Sequence, residues 1–192
     1  MSLSVLNSIS FTGNITLDGI DIAATPPEEI RRRVTTITQH PVELPGTVRD
    51  NILPSLETET NKVAKVNDHI IFDVLRDIGL LQHINEHGGI DAEFSAMKFS
   101  QGQKQLLSLA RAILHHRQIG SRLVIIDEAT SNMDYDTDSR VQSIIQEAFK
   151  GCTMLIIAHR VETLRGIDYL LELDGGKVAA ILPCSEAAGE ME

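Results

Sequence analysis

The 192 residues contain no apolar run near the roughly 20 residues that a membrane-spanning helix needs. Runs such as Leu123-Val124-Ile125-Ile126 and Met154-Leu155-Ile156-Ile157 are far shorter. The start, Met1-Ser2-Leu3-Ser4, has neither the basic residues nor the apolar stretch of a signal peptide. Cysteine is scarce. Cys152 and Cys184 form no metal-ligand spacing or disulfide framework, which fits a reducing compartment. Positive charge is also short, with 17 Lys and Arg against 27 Asp and Glu and a net charge of −10. Nucleic-acid binding needs clustered cations and is argued against. Arg31-Arg32-Arg33 is the one tight basic run, and a solvated helix face explains it. What remains is ordinary for a soluble, cytosolic globular protein, at 42% hydrophobic and 23% charged residues. The length fits one domain with a real core.

Along the chain, Asn14 to Leu17 alternates and runs into Asp18-Gly19, a strand closed by a turn. Thr25-Pro26-Pro27-Glu28 predicts a helix start with Thr25 as cap and Pro26 at the first helical position. A strand over Val34 to Thr38 ends at Gln39, and Pro41, Pro45 and Gly46 make the next stretch a loop. Apolar residues at helical spacing predict a helix from Asn61 to Leu80, stopped near Gly79. Gly88-Gly89 marks another loop, and a second long helix is predicted from Gln103 to Leu114. His115 to Arg122 reads as a surface loop with His115 and His116 exposed, and a metal role for them is not expected. Strands over Arg122–Ile126 and Thr153–Ala158, separated by a helix from about Thr137 to Phe149, imply a parallel sheet with helices on both faces. The strand-poor middle third reads as an inserted helical subdomain.

Two segments carry chemistry. In Leu123 to Thr130 a hydrophobic strand ends in Asp127-Glu128, which places two carboxylates at the carboxyl edge of a parallel sheet, where ligands bind. In phosphate chemistry the Asp helps to hold Mg²⁺ and the Glu orients or deprotonates a water. An acidic turn after a strand explains the segment equally well. In Phe99-Ser100-Gln101-Gly102-Gln103-Lys104-Gln105, a Ser and a Gly at a helix start expose backbone N–H groups to an anion. By itself, an ordinary Ser cap is the commoner explanation.

Taken together the segments resemble a known family. Ser100-Gln101-Gly102-Gln103, with Gln105-Leu106 and Leu109-Ala110-Arg111-Ala112, resembles the signature motif of the nucleotide-binding domains of ATP-binding-cassette (ABC) transporters. Asp127-Glu128-Ala129-Thr130-Ser131 resembles Walker B, and Ser131-Asn132-Met133-Asp134 resembles the D-loop. Ile157-Ala158-His159-Arg160 resembles the switch-histidine segment, and Thr38-Gln39-His40-Pro41 the Q-loop. Gly46 to Ile52 is similar to the family's segment just after the Q-loop, and Asp174-Gly175-Gly176-Lys177-Val178 to its closing β-turn. The motifs stand in family order to about Val178. Their wording is most similar to the C subfamily, the multidrug-resistance-associated exporters, and within it to the second of two domains.

The resemblance implies an α/β fold: a P-loop NTPase (RecA-like) parallel-sheet core over 1–40 and 118–192, with a helical subdomain over 41–117. It implies a head-to-tail dimer with a second nucleotide-binding domain, ATP and Mg²⁺ as cofactors, and transmembrane domains as partners at the cytoplasmic face of a membrane. On that resemblance Glu128 is the general base and His159 the γ-phosphate sensor. Asp127 and Gln39 serve the Mg²⁺, with Gln39 also signalling toward the membrane. Ser100, Gln101, Gly102 and Gln103 contact nucleotide held by the partner, and Asp134 couples the two sites.

The sequence departs from the family in four places. It contains no Gly-x4-Gly-Lys-Ser/Thr phosphate loop; its one Gly-Lys pair, Gly176-Lys177, is followed by Val178. By the family's spacing that lysine falls shortly before Met1, so an N-terminally truncated domain is expected. Leu3, Leu6 and Ile9 or Ser10 then read as turns of the helix after the loop. Phe99 replaces the commoner Leu, the link from His115 to Arg122 is long, and the tail from Ala179 to Glu192 is a candidate for disorder. The alternatives are a catalytically silent fragment that completes another domain's site, or a non-transport ABC ATPase. Against the latter, the Gln39-to-Ser100 interval has no room for a long coiled coil, and the chain is acidic.

Overall fold

The computed structural model describes residues 13–53, 67–127, 135–157, 166–175 and 177–184. The chain forms two compact units, Met1–Ala158 and His159–Glu192.

In the first unit, β1 (Thr16–Leu17) and β2 (Ile20–Asp21) pair as a hairpin. Its turn residues, Asp18 and Gly19, both have positive φ (51° and 80°), the backbone for which an Asp-Gly pair is suited. The predicted turn is there, and the strand after it was not foreseen. A 3-10 turn (Ile22–Ala24) follows, capped by the Asp21 carboxylate, which accepts from the Ala23 N–H at 2.9 Å. Thr25 is not the cap of the next helix. Its hydroxyl donates back to the Asp21 carbonyl at 2.8 Å, and α1 (Pro27–Arg33) starts one residue later than predicted, with Pro27 first. Arg31, Arg32 and Arg33 are exposed, as expected of a solvated face.

β3 (Val34–Ile37), β4 (Leu123–Asp127) and β5 (Thr153–Ile157) make the parallel sheet in that order. The register sets Ile37 beside Ile126 and Asp127 beside Ile157. Side chains alternate between two cores. Val34 and Ile125 pack with Ile22 of the 3-10 turn and Ile30 of α1 on one face. Ile37, Val124 and Ile126 face a larger core that also takes in the helical middle third. Burial on both faces explains why the central strand, β4, reads as a continuous branched run.

That middle third holds α2 (Val48–Ile52), α3 (Asp68–Asp77), α4 (Leu81–Glu86) and α5 (Gln101–Ile119). α2 lies in a stretch predicted to be loop; a capping box between Thr47 and Asp50 starts it. α3 opens at Asn67, whose side chain accepts from the His69 N–H at 3.0 Å, and Gly79 (φ 80°) follows its end as predicted. Residues 61–66 of that predicted helix lie outside the described residues.

The link after α5 corrects the expectation of an exposed loop. The helix continues five residues beyond Leu114 and stops at Gly120, whose left-handed backbone (φ 64°) closes it. His115 and His116 are therefore half-buried rather than exposed. At the amino-terminal edge of the sheet the Thr35 hydroxyl lies 3.2 Å from His115 Nδ1 and 2.7 Å from the Ser121 hydroxyl, which lies 2.9 Å from His116 Nδ1. The Cys152 thiol donates to the Ser121 carbonyl at 3.4 Å. α6 (Tyr135–Ala148) covers the same sheet face with Val141 and Ile145, followed by Phe149.

The second unit contains the antiparallel hairpin of β6 (Tyr169–Asp174) and β7 (Lys177–Pro183). Asp174 pairs with Lys177 across the turn predicted there. Ala180 to Pro183, expected to belong to a disordered tail, pair with β6 instead, and Ala179 is the extra residue where the register shifts. No helix among the described residues is long and apolar enough to cross a membrane.

Candidate functional site

Two of the predicted positions come together through sheet register. Since Ile37 and Ile126 are partners, Thr38-Gln39 and Asp127 leave the carboxyl edge of the sheet from neighbouring strands. Both Gln39 and Asp127 are half-buried. They offer two oxygen donors from adjacent strand ends. That suits Mg²⁺, which takes one or two protein oxygens and completes its shell with water and phosphate. Among the described residues no group of three or more metal-ligand side chains converges.

Ser100 sits at the head of α5 in extended conformation (ψ 164°). Its hydroxyl accepts from the Gln103 N–H at 3.2 Å, and the Gln103 side chain accepts from the Ser100 N–H at 2.9 Å. This capping box uses Gln103 for the helix itself. The first-turn N–H groups of Gln101 and Gly102 have no intrahelical acceptor, so they carry the positive end of a 19-residue helix. Among the described residues, Gly102 has open space where a side chain would be: a Cβ there meets nothing within 4 Å. Phe99, in place of the commoner Leu, is buried between Phe94 (ring centroids 5.5 Å apart) and His83 (5.2 Å).

α5 also grips the segment around Gln39. Gln105 Nε2 donates to the Thr38 carbonyl at 3.0 Å, and Lys104 Nζ meets Glu43 at 2.6 Å. Arg111 donates to the Val42 and Asn51 carbonyls at 2.9 and 2.6 Å. Buried Asn51 completes the clasp, accepting from the Leu44 N–H and donating to the Leu44 carbonyl, both at 2.8 Å. The turn after Gln39 and the helix after Ser100 are thus one hydrogen-bonded assembly.

A strand-edge acid beside a Q-loop-like turn, joined to a capped helix whose glycine faces open space, prompts comparison with known proteins. The family model described as ABC transporter matches residues 3–131. The chain belongs to the ABC transporter family. The ABC multidrug transporter B of Aspergillus fumigatus is 37% identical over 178 residues, which cover 93% of this chain and 11% of that protein. ABC transporter C family member 3 of Dictyostelium discoideum is 38% identical over 170 residues, 87% of this chain and 11% of that protein. ATP-binding cassette sub-family C member 2 of Homo sapiens is 34% identical over 169 residues, 86% and 10% respectively. The chain thus spans about a tenth of the length of these curated relatives. The parallel-sheet α/β core is the family's fold.

Of the site residues read from sequence, Gln39, Ser100, Gln101, Gly102, Gln103 and Asp127 are placed as above. Glu128, Asp134 and His159 lie outside the described residues, as do Leu3, Leu6, Ile9 and Ser10. In the sequence, Gln105, Arg111 and Asn51 stand out only as parts of motifs, and the clasp they make is not visible there. Nor does His83 stand out; its partners, Met97 and Phe99, lie in a different segment.

Proposed function

We propose that this chain acts as a nucleotide-binding domain of an exporter-type ABC transporter, pairing head-to-tail with a second such domain around Mg²⁺ and ATP. Residues 41–117 present Ser100 to the partner's nucleotide, while 1–40 and 118–192 belong to the ATPase core. Gln39 and Asp127 serve the metal, Glu128 acts as general base, His159 positions the γ-phosphate and Asp134 couples the two sites. The transmembrane domains, at the cytoplasmic face of a membrane, take up the resulting motion.

The supporting observation is Gly102. It has helical backbone and no close neighbour among the described residues, so neither φ nor the packing seen there calls for glycine. Glycine in a helix costs up to about 1 kcal/mol relative to Ala. Its presence at a helix start, where the first amides have no intrahelical acceptor, is explained by an anion approaching from outside. A second reading, a domain that completes a partner's site without holding a nucleotide itself, makes the same use of the Ser100 edge.

Both readings require the Ser100 edge to meet nucleotide on another domain. The test mixes the purified chain with the P-loop-bearing nucleotide-binding domains of the 37%-identical Aspergillus fumigatus transporter and follows complex formation against Mg²⁺-ATP by sedimentation. Pairing should require ATP and be lost in Ser100→Arg. In Gly102→Ala it should need several-fold more ATP, although the variant alone melts no lower than wild type. Pairing that ignores ATP, or survives Ser100→Arg, overturns the proposal.

A further inference from the structure

The three residues that deliver Ser100 to the head of α5 are held in an unfavourable shape. Met97 ends a 3-10 turn, Lys98 follows with left-handed backbone (φ 48°, ψ 40°), and Phe99 leads into Ser100. A non-glycine residue adopts that conformation at a cost, and it persists where the surroundings over-determine it. Both sides of Lys98 are tied to one side chain. His83, on α4, lies 3.0 Å through Nε2 from the Met97 carbonyl, and its ring centroid lies 5.2 Å from that of Phe99. A carbonyl only accepts, so Nε2 carries the proton and donates. His87, one turn on, stacks on His83 with centroids 4.3 Å apart, and its Nδ1 donates to the His83 carbonyl at 2.8 Å. The second imidazole therefore limits the swing of the first.

We propose that His83 is a positioning residue for the nucleotide-facing end of α5: its Nε2–H to the Met97 carbonyl and its contact with Phe99 fix the connector that aims Ser100 and the amides of Gln101 and Gly102. This rests on the preceding assignment of that helix end to a partner's nucleotide. His83 itself touches no nucleotide and acts through Met97 and Phe99. Without it Lys98 relaxes, the first turn of α5 frays, and amides that must all meet one phosphate no longer point together.

The experiment uses the full 192-residue chain in the ATP-dependent pairing assay, comparing wild type, His83→Ala, His83→Phe, His83→Gln and Ser100→Arg. His83→Phe keeps a ring against Phe99 but loses the donor, whereas His83→Gln keeps a donor of similar reach. A hydrogen bond of ordinary net strength corresponds to about a five-fold change in an equilibrium. Half-saturating ATP should therefore rise about five-fold in His83→Ala and His83→Phe and return toward wild type in His83→Gln, with the full extent of pairing unchanged. A partly unfolded variant would lower the extent instead. If every His83 variant pairs like wild type while Ser100→Arg fails, the positioning role is overturned and the functional assignment stands. If Ser100→Arg pairs normally, the functional assignment fails. Hydrogen exchange of the amides from Phe99 to Gln103 in the chain alone then decides whether His83 holds the connector, and unchanged protection in His83→Ala overturns it.

Discussion

At the scale of single residues, the imidazole at the foot of the sheet makes stability depend on pH. Burial pushes the His115 pKa below its ordinary value, and the charge of neighbouring His116 adds to this. The folded state thus disfavours the imidazolium that the unfolded chain accepts near pH 6.5. In the window just below that value the unfolded state binds more protons, so folding stability rises with pH. The His115 contribution is fully present above about pH 6.5 and is lost as pH falls through that value, by at most about 1.4 kcal/mol per pH unit for one proton. The carboxyls of Asp68 and Asp91, held low by hydrogen bonds from Arg49, lose their contribution only below the carboxylate range near pH 4. The two windows are separate. Urea midpoints measured from pH 7.5 to 5 should fall in wild type and flatten in His115→Asn, which keeps a partner for Thr35 but does not titrate. Equal slopes in both proteins would assign the titration to another group.

At the scale of elements, α5 does two jobs: its first turn faces outward and its middle clasps the loop after Gln39. Arg111 shows how much depends on side-chain shape. Its guanidinium is substantially buried, burial lowers its pKa, and it spans two backbone carbonyls nine residues apart in sequence. Lysine carries the same charge but a single donor head, so Arg111→Lys cannot reach both. The variant should lose about 1 kcal/mol of stability, the net worth of one hydrogen bond, since one of the two carbonyls loses its donor. Chemical denaturation measures this directly, and a change under about 0.5 kcal/mol would mean that water replaces the lost bond. Such clasps define what the sequence could and could not disclose. β4, β5 and α5 were legible because branched runs and helical spacing are local properties. Gln39 and Ser100 stood out as candidates because their motifs resemble a family. The extension of α5 to Gly120, the short helix α2 and the tie from His83 to Met97 depend on partners or caps that local apolar patterning does not report.

At the scale of the whole molecule, one surface should govern behaviour in solution. Along β6 the alternation puts Tyr169, Leu171 and Leu173 on one face, and register adds Ile181 opposite Leu171 and Val178 opposite Leu173. All five are exposed, Tyr169 by 69% and Ile181 by 62%. A contiguous apolar face on a hairpin tends to associate, because burying it removes that surface from water. The net charge of −10 acts against association through repulsion between like molecules. Salt screens that repulsion over a Debye length of about 8 Å at physiological ionic strength and leaves the apolar attraction intact. The purified chain should therefore self-associate at micromolar concentration, more strongly at about 0.5 M than at about 0.05 M salt. Leu173→Lys combined with Ile181→Lys places two cations on the face and should weaken association at least about ten-fold, without altering the sheet of the first unit. Sedimentation equilibrium across both salt concentrations separates the terms. Association that weakens with salt would show that charge pairs hold the copies together, and association untouched by the double substitution would place the contact elsewhere.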